Sequence, residues 1–382
     1  MSRHVDSQLR DALAAIEDPQ LDLTLGDVGM LGDVRTEGGV ALVELLVPIE
    51  SWPTTDAVRE AIGIVVAQHG AGQPDVIVRT MDEQAIRALR ATLRARMGAE
   101  PAVANGHAHG GGQAEPSPPF LERGSSTRIL GISSGKGGVG KSSVTVNLAV
   151  SLAALGHRVG VLDADVYGFS IPKMVAAATE PVILGDTVVP TYAHGVRWLS
   201  MGWFVSDDQP VIWRGPLLHK AITQFVTEAW WGEPDYLLID MPPGTGDVAL
   251  TLSQVVPSAE MYVVTTPQPA AQRVAQRSAL AAKKLRLSVR GVIENMSYFV
   301  GDDATRYELF GAGGGESLAA DLGIPLLAQL AFVPAMREGG DTGRPVAVTE
   351  PASAIALAFA ALASRIDAQG PARVYRQELR LS

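Results

Sequence analysis

The residues Gly135-Lys136-Gly137-Gly138-Val139-Gly140-Lys141-Ser142 satisfy the G-x-x-x-x-G-K-[ST] spacing of a phosphate-binding loop. The spelling has a chemical reason. Glycines let the backbone fold into a nest of N–H groups aimed at phosphate oxygens, and a following helix adds its positive N-terminal end. Lys141 reaches the β- and γ-phosphates and Ser142 ligates Mg²⁺, with Ser143 behind it in the same binding segment. The chain holds six lysines against 25 arginines, and two of the six, Lys136 and Lys141, lie inside this loop. A compact ammonium fits a crowded nest where a guanidinium fork does not. Nucleotide binding is therefore expected.

Carboxylates follow at suitable places. Asp163-Ala164-Asp165 closes one apolar run, and Asp240 closes another before Met-Pro-Pro-Gly-Thr-Gly-Asp247. An aspartate at such a strand end can hold Mg²⁺ or its water shell, and Asp240 suits that role.

Short β-branched runs alternate with helical segments around these residues. Strands are expected over Arg128 to Ser133, Arg158 to Asp163, Asp235 to Asp240, Glu260 to Thr265, Val289 to Asn295 and Leu326 to Leu330. Helices are expected over Lys141 to Leu155, Pro216 to Trp230, Ala270 to Leu285 and Ala352 to Ile366. This is an α/β fold class: a mainly parallel sheet covered by helices on both faces, with ligands at the carboxyl ends of the strands.

A small α+β module precedes it. Helices are expected over Ser7 to Ile16, Thr54 to His69 and Glu83 to Met97, and strands over Val28 to Arg35, Val40 to Val47 and Asp75 to Thr80. Arginines 87, 90, 94 and 96 read as a solvated helix face. Residues 99–127, rich in Gly, Pro and small side chains, read as a flexible linker, and His107 and His109 within it as linker residues. The expected division is 1–98, 99–127, 128–370 for the nucleotide-binding domain, and a tail over 371–382.

Composition narrows the function classes. Of 382 residues, 47% are hydrophobic and 19% charged, which suits a soluble chain with a sizeable core. The net charge of −10 provides no broad basic field, so neither nucleic acid nor a membrane is expected as partner. No secretory h-region opens the chain, and a cytoplasmic location is expected. There is no cysteine, so the chain alone offers no disulfide, no thiolate nucleophile and no thiolate ligand for zinc or an iron–sulfur cluster.

The spelling KGGVGKS resembles the deviant Walker A loop of the MinD/ParA/nitrogenase-iron-protein class of P-loop NTPases. Further strings narrow the resemblance: Asp163-Ala-Asp-x-x-Gly-x-Ser-x-Pro172, Trp213-Arg-Gly-Pro216, Asp240-Met-Pro-Pro-Gly-Thr-Gly-Asp247, Thr265-Thr-Pro-Gln268, Glu294-Asn-Met-Ser297 and Phe310-Gly-x-Gly-Gly-Gly315. Together they are similar to the Mrp/ApbC subgroup, ATP-dependent iron–sulfur cluster carriers, over most of residues 128–366. Glu17-Asp18-Pro19 and Leu25-Gly-Asp-Val-Gly-Met-Leu31 resemble the small iron–sulfur-assembly-associated domain that often precedes such an ATPase.

The resemblance implies a Mg²⁺-dependent ATPase that works as a homodimer, with ATP and Mg²⁺ in each protomer. It implies that Lys136 reaches the partner's nucleotide, that Asp165 orients the attacking water, that Asp163 assists near the metal and that Asn295 contacts adenine. It also implies iron–sulfur assembly proteins or apoprotein clients as partners, with an iron–sulfur cluster as cargo. Here the chain departs from the pattern. Many members carry C-x-x-C after the ENMS string, where this chain has Tyr298 to Arg306; the small domain often carries Cys where Ser51-Trp52-Pro53 stands. Asp302 and Asp303 are hard oxygen donors, poorly matched to a cluster, and read as a solvated turn. The alternative is a ParA/MinD-like positioning or regulatory ATPase that binds no cluster.

Overall fold

A computed structural model of the protein describes residues 2–372 apart from 38, 71, 99–117, 123, 167, 178, 205–214 and 245. Most of the 99–127 segment, His107, His109, Trp213, Arg214 and nearly all of the tail thus lie outside the described residues. The chain divides into two compact units: Met1–Arg123 with Ala178–Tyr192 and Thr227–Glu233, and Gly124–Ala177, Ala193–Val226 and Pro234–Ser382. The first unit therefore draws on two segments that the sequence pattern assigns to the nucleotide-binding domain.

In the second unit, seven parallel strands run in the spatial order Val196–Ser200, Val159–Asp163, Tyr236–Asp240, Arg128–Ser134, Glu260–Thr265, Ser288–Glu294 and Leu326–Gln329. Burial on both faces explains the short apolar runs of the central strands Tyr236–Asp240 and Glu260–Thr265, every residue of which is buried. Helices Lys141–Ala154 and Ala354–Ala368 pack on one face over Leu130, Ile132, Val161 and Leu238. Helices Pro269–Lys284 and Gly314–Leu322 pack against each other and against Glu260–Thr265 and Ser288–Glu294.

The six expected strands are present within a residue or two of the expected bounds. Val196–Ser200 escapes the pattern, as do helices Asp247–Val255, Gly314–Leu322 and Pro334–Thr342. Those helices are nine residues each, too short for 3.6-residue periodicity to declare itself.

In the first unit, Val40–Val47 pairs antiparallel with Leu31–Glu37 and parallel with Asp75–Thr80. Its alternation is clean: Ala41, Val43, Leu45 and Val47 are buried, while Leu42, Glu44 and Leu46 between them are half-buried. Helices Ser2–Ala14, Thr55–Gln68 and Glu83–Arg96 complete the fold, the last capped by Asp82, whose Oδ1 accepts from the Ala85 N–H at 2.8 Å. The buried Asp18 carboxylate accepts from the N–H groups of Gln20 (3.0 Å) and Leu21 (2.8 Å), from Trp52 Nε1 (2.9 Å) and from the Thr54 hydroxyl. The Glu-Asp-Pro string is here a structural knot, satisfied by four donors.

A hairpin from beyond residues 99–127, Val182–Leu184 and Thr187–Val189, belongs to the same core. Its Val182, Leu184 and Val189, with Trp230, cluster with Leu21, Leu25 and Trp52. Trp230 Nε1 donates to the Leu21 carbonyl at 2.9 Å, and Gln20 Nε2 to the Pro190 carbonyl at 2.8 Å. At the hairpin turn Asp186 binds Arg90 at 3.1 Å and also Arg94. Part of the arginine face is therefore engaged within the unit, a correction to its reading as wholly solvated. Burial works against the Asp186 carboxylate, but the Arg90 hydrogen bond and the two guanidinium charges prevail and hold its carboxyl below the usual range.

Candidate functional site

The strand Arg128–Ser134 delivers the chain to Gly135, and the helix Lys141–Ala154 leaves from Gly140. Gly138 (φ +80°) and Gly140 (φ +79°) both adopt left-handed backbone, which lets the loop curl between strand and helix. Gly135 is required for a different reason. A Cβ there would meet the backbone nitrogen of Ala275 at 2.2 Å, so the loop lies directly on helix Pro269–Lys284. A cavity of about 590 Å³ opens over this loop. Ser134, the whole Lys136–Ser143 segment, Asp165, Pro242, Pro243 and Leu218 are among its lining residues.

Adjacent strands bring the carboxylates to the same end. Asp163 and Asp240 are register partners across parallel strands, both with 0% exposure. Asp240 is the hub. Lys141 Nζ and Ser142 Oγ both donate to its Oδ2 at 2.6 Å, and Thr145 Oγ1 donates to Oδ1 at 2.6 Å. Asp165 lies above, its N–H donating to Asp163 Oδ1 at 3.1 Å and its Oδ2 lying 3.7 Å from Lys141 Nζ. Asp163 is further held by Ser200 Oγ at 3.0 Å. Burial first, and then the Asp240 charge, push its carboxyl up to about 7, against the opposing pull of Lys141.

Three carboxylates around one buried ammonium leave this corner short of positive charge. Hard oxygen donors with a negative excess fit a divalent cation such as Mg²⁺. Among the described residues no group of three or more His, Cys, Asp or Glu converges on a common point. Mg²⁺ commonly shares one or two protein oxygens with phosphate and water, and Ser142 with Asp240 could supply such a pair. A sulfur-ligated cluster does not fit: no thiolate exists in the chain.

The two remaining expected residues take unforeseen contacts. Lys136 Nζ donates to Gln268 Oε1 at 3.0 Å. Asn295, buried, donates from Nδ2 to the Val139 carbonyl at 2.9 Å and does not line the cavity. It braces the phosphate loop from behind. Its neighbour Glu294 seats another element: Oε2 accepts from the Gly315 N–H at the start of helix Gly314–Leu322 at 2.5 Å, while Oε1 accepts from Ser297 Oγ (2.8 Å) and Gln329 Nε2 (3.1 Å). A Cβ on Gly314 would meet the Pro267 carbonyl oxygen at 2.3 Å, which accounts for a glycine there in the Phe310–Gly315 string.

Sequence reasoning missed Thr145, Ser200, Glu294 and Gln268 as site residues. Thr145 was accessible in principle, since it lies one helical turn beyond Lys141 on the same face.

The family model for NUBPL iron-transfer P-loop NTPases, of the ParA group, matches residues 125–367. The chain belongs to that family. An iron–sulfur cluster carrier protein of Mycobacterium leprae is 39% identical over 348 residues, spanning 89% of this chain and 87% of the relative. One from Pseudomonas fragi is 46% identical over 239 residues, 62% of this chain and 83% of its own. Among solved structures, the nucleotide-binding protein of Archaeoglobus fulgidus in complex with ADP aligns with a TM-score of 0.50 at 34% identity, covering 57% of this chain and 86% of that one. Family membership agrees with the P-loop at 135–142 and with the parallel sheet behind it. No helix among the described residues is long and apolar enough to cross a membrane.

Proposed function

We propose that this chain is a Mg²⁺-dependent ATP hydrolase that works as a homodimer in the iron–sulfur cluster carrier family. The observation that carries the reading is the convergence of Lys141, Ser142 and Thr145 on Asp240 beneath an open cavity. The loop N–H groups and Lys141 bind the phosphates, and Ser142 with Asp240 holds the metal, which neutralises charge developing on the transferred phosphoryl group. Asp165, next to Lys141 and on the cavity wall, orients the attacking water; Asp163 supports the metal from the buried side. Lys136 supplies its charge to the partner's nucleotide, and Asn295 holds the phosphate loop in shape through the Val139 carbonyl. Apoproteins and iron–sulfur assembly proteins are the partners, in the cytoplasm.

A second reading is favoured by the absence of cysteine: a regulatory ATPase of the same family whose cargo, if iron–sulfur, is held by thiolates of a partner. Two measurements separate the parts. Purified protein hydrolyses ATP with Mg²⁺, and a Lys141→Ala protein retaining full turnover overturns the hydrolase assignment. Iron and sulfide analysis after anaerobic reconstitution distinguishes a carrier from a cluster-free ATPase.

A further inference from the structure

Both lysines of the phosphate loop rest on acceptors of their own chain, and the two acceptors differ in strength. Lys141 is held by a buried carboxylate, Asp240, whereas Lys136 is held by the neutral amide oxygen of Gln268 at 3.0 Å. Gln268 is the N-cap residue of helix Pro269–Lys284, in extended backbone, and its side chain makes no capping bond, so its amide is available to Lys136. The helix is packed directly against the loop. Ala275 lies against Gly135, and Ser278 Oγ donates to the Gly244 carbonyl at 2.9 Å. Electrostatics alone would not bring a cation there, because the N-terminal end of a helix carries partial positive charge. The hydrogen bond from Lys136 is thus a specific but weak hold, and a multiply charged phosphate is a far stronger acceptor.

We propose that Gln268 is a positioning residue, a cis latch that keeps Lys136 on its own subunit until a nucleotide phosphate across the dimer draws it off. The inference rests on the reading that Lys136 acts on the partner's nucleotide. It adds a control step to that reading: the strength of the Gln268 hold sets how readily the closed dimer forms.

Steady-state ATP hydrolysis and nucleotide-dependent dimerisation, measured by sedimentation with a non-hydrolysable ATP analogue, test this in full-length protein. Gln268→Glu places an anion beside both Lys136 and the helix N-terminus, tightening the latch; kcat falls roughly tenfold with KM for ATP unchanged. Gln268→Leu removes the acceptor; kcat rises about threefold, KM is unchanged and dimers form at lower protein concentration. Loss of kcat in both variants, or wild-type behaviour in both, overturns the latch. If Gln268→Glu does not fold by circular dichroism, the Gln268→Leu dimerisation constant decides: no shift toward dimer overturns the proposal. A Lys136→Ala control separates the layers. Wild-type turnover in that protein sinks the trans-acting reading itself, whereas an inactive Lys136→Ala beside unaffected Gln268 variants sinks only the latch.

Discussion

Asp163 and Asp240 sit side by side at the ends of neighbouring parallel strands, register partners with no solvent exposure, and Lys141 is the cation that bonds to one of them. Two buried carboxylates this close resist joint ionisation, and the protein settles the conflict by raising Asp163 and giving Asp240 three donors. A ready place for added positive charge is the result.

Stability of the empty protein should carry the mark of this pair. The folded-state carboxyl of Asp163 is raised to about 7, above its unfolded value of about 3.9, so its contribution is present at low pH and is lost as pH rises through 7. In chelator and without nucleotide, the urea midpoint of Asp163→Asn relative to wild type should rise between about pH 5 and pH 8. An unchanged difference over that range refutes the shift.

Lys141→Ala leaves Asp240 without its ammonium partner and removes the proposed phosphate ligand. Turnover should fall by roughly 100-fold or more. The apo protein should lose about 3–5 kcal/mol at neutral pH, the cost of stranding a buried charge. Urea unfolding and ATPase assays read the two effects separately. Lys141→Arg should not restore activity, since the fork does not fit the nest.

Asn295 offers a choice between two roles that a single titration resolves. As the brace of the Val139 carbonyl, its replacement by Ala should weaken nucleotide binding by about 1 kcal/mol, roughly fivefold, through a loosened loop. ADP and GDP should lose affinity equally in calorimetry. A loss confined to ADP would instead assign Asn295 to the adenine.

Leu184→Ala tests the composite first unit. Leu184 is buried in that unit's core although it lies more than 80 residues beyond Gly98 in sequence. The substitution should cost about 2–5 kcal/mol and raise amide exchange in Val40–Val47 and Asp75–Thr80. Exchange confined to residues 182–189 would contradict the shared core.

Asp163 and Asp240 are legible because each closes a short apolar strand, the phosphate loop because it follows one, and Asp165 because it lies two residues beyond Asp163. What escaped depends on partners far away in sequence. The strands at 182–189 are three residues each, too short to show alternation, and their place is set by Leu21 and Gln20 through Trp230 and Pro190. Glu294 reads as an ordinary strand end until helix Gly314–Leu322 is seen to begin on it. That helix opens Gly-Gly after a left-handed Gly313, the weakest helix start that propensity recognises. Gln268 stands in the Thr265-Thr-Pro-Gln268 string, but its contact is not legible there, since a neutral amide matters only once Lys136 is beside it.

The three-part make-up of the first unit bears on descent as well as on folding. A gene fragment for residues 1–98 alone would encode a fold lacking Val182, Leu184, Val189 and Trp230, four walls of its own interior. Recombination between residues 98 and 128 would therefore pass on an incomplete module and, with it, a P-loop part displaying bare apolar side chains. The two parts are heritable only together, and any swap between relatives that keeps both working must exchange the hairpin along with the module it completes.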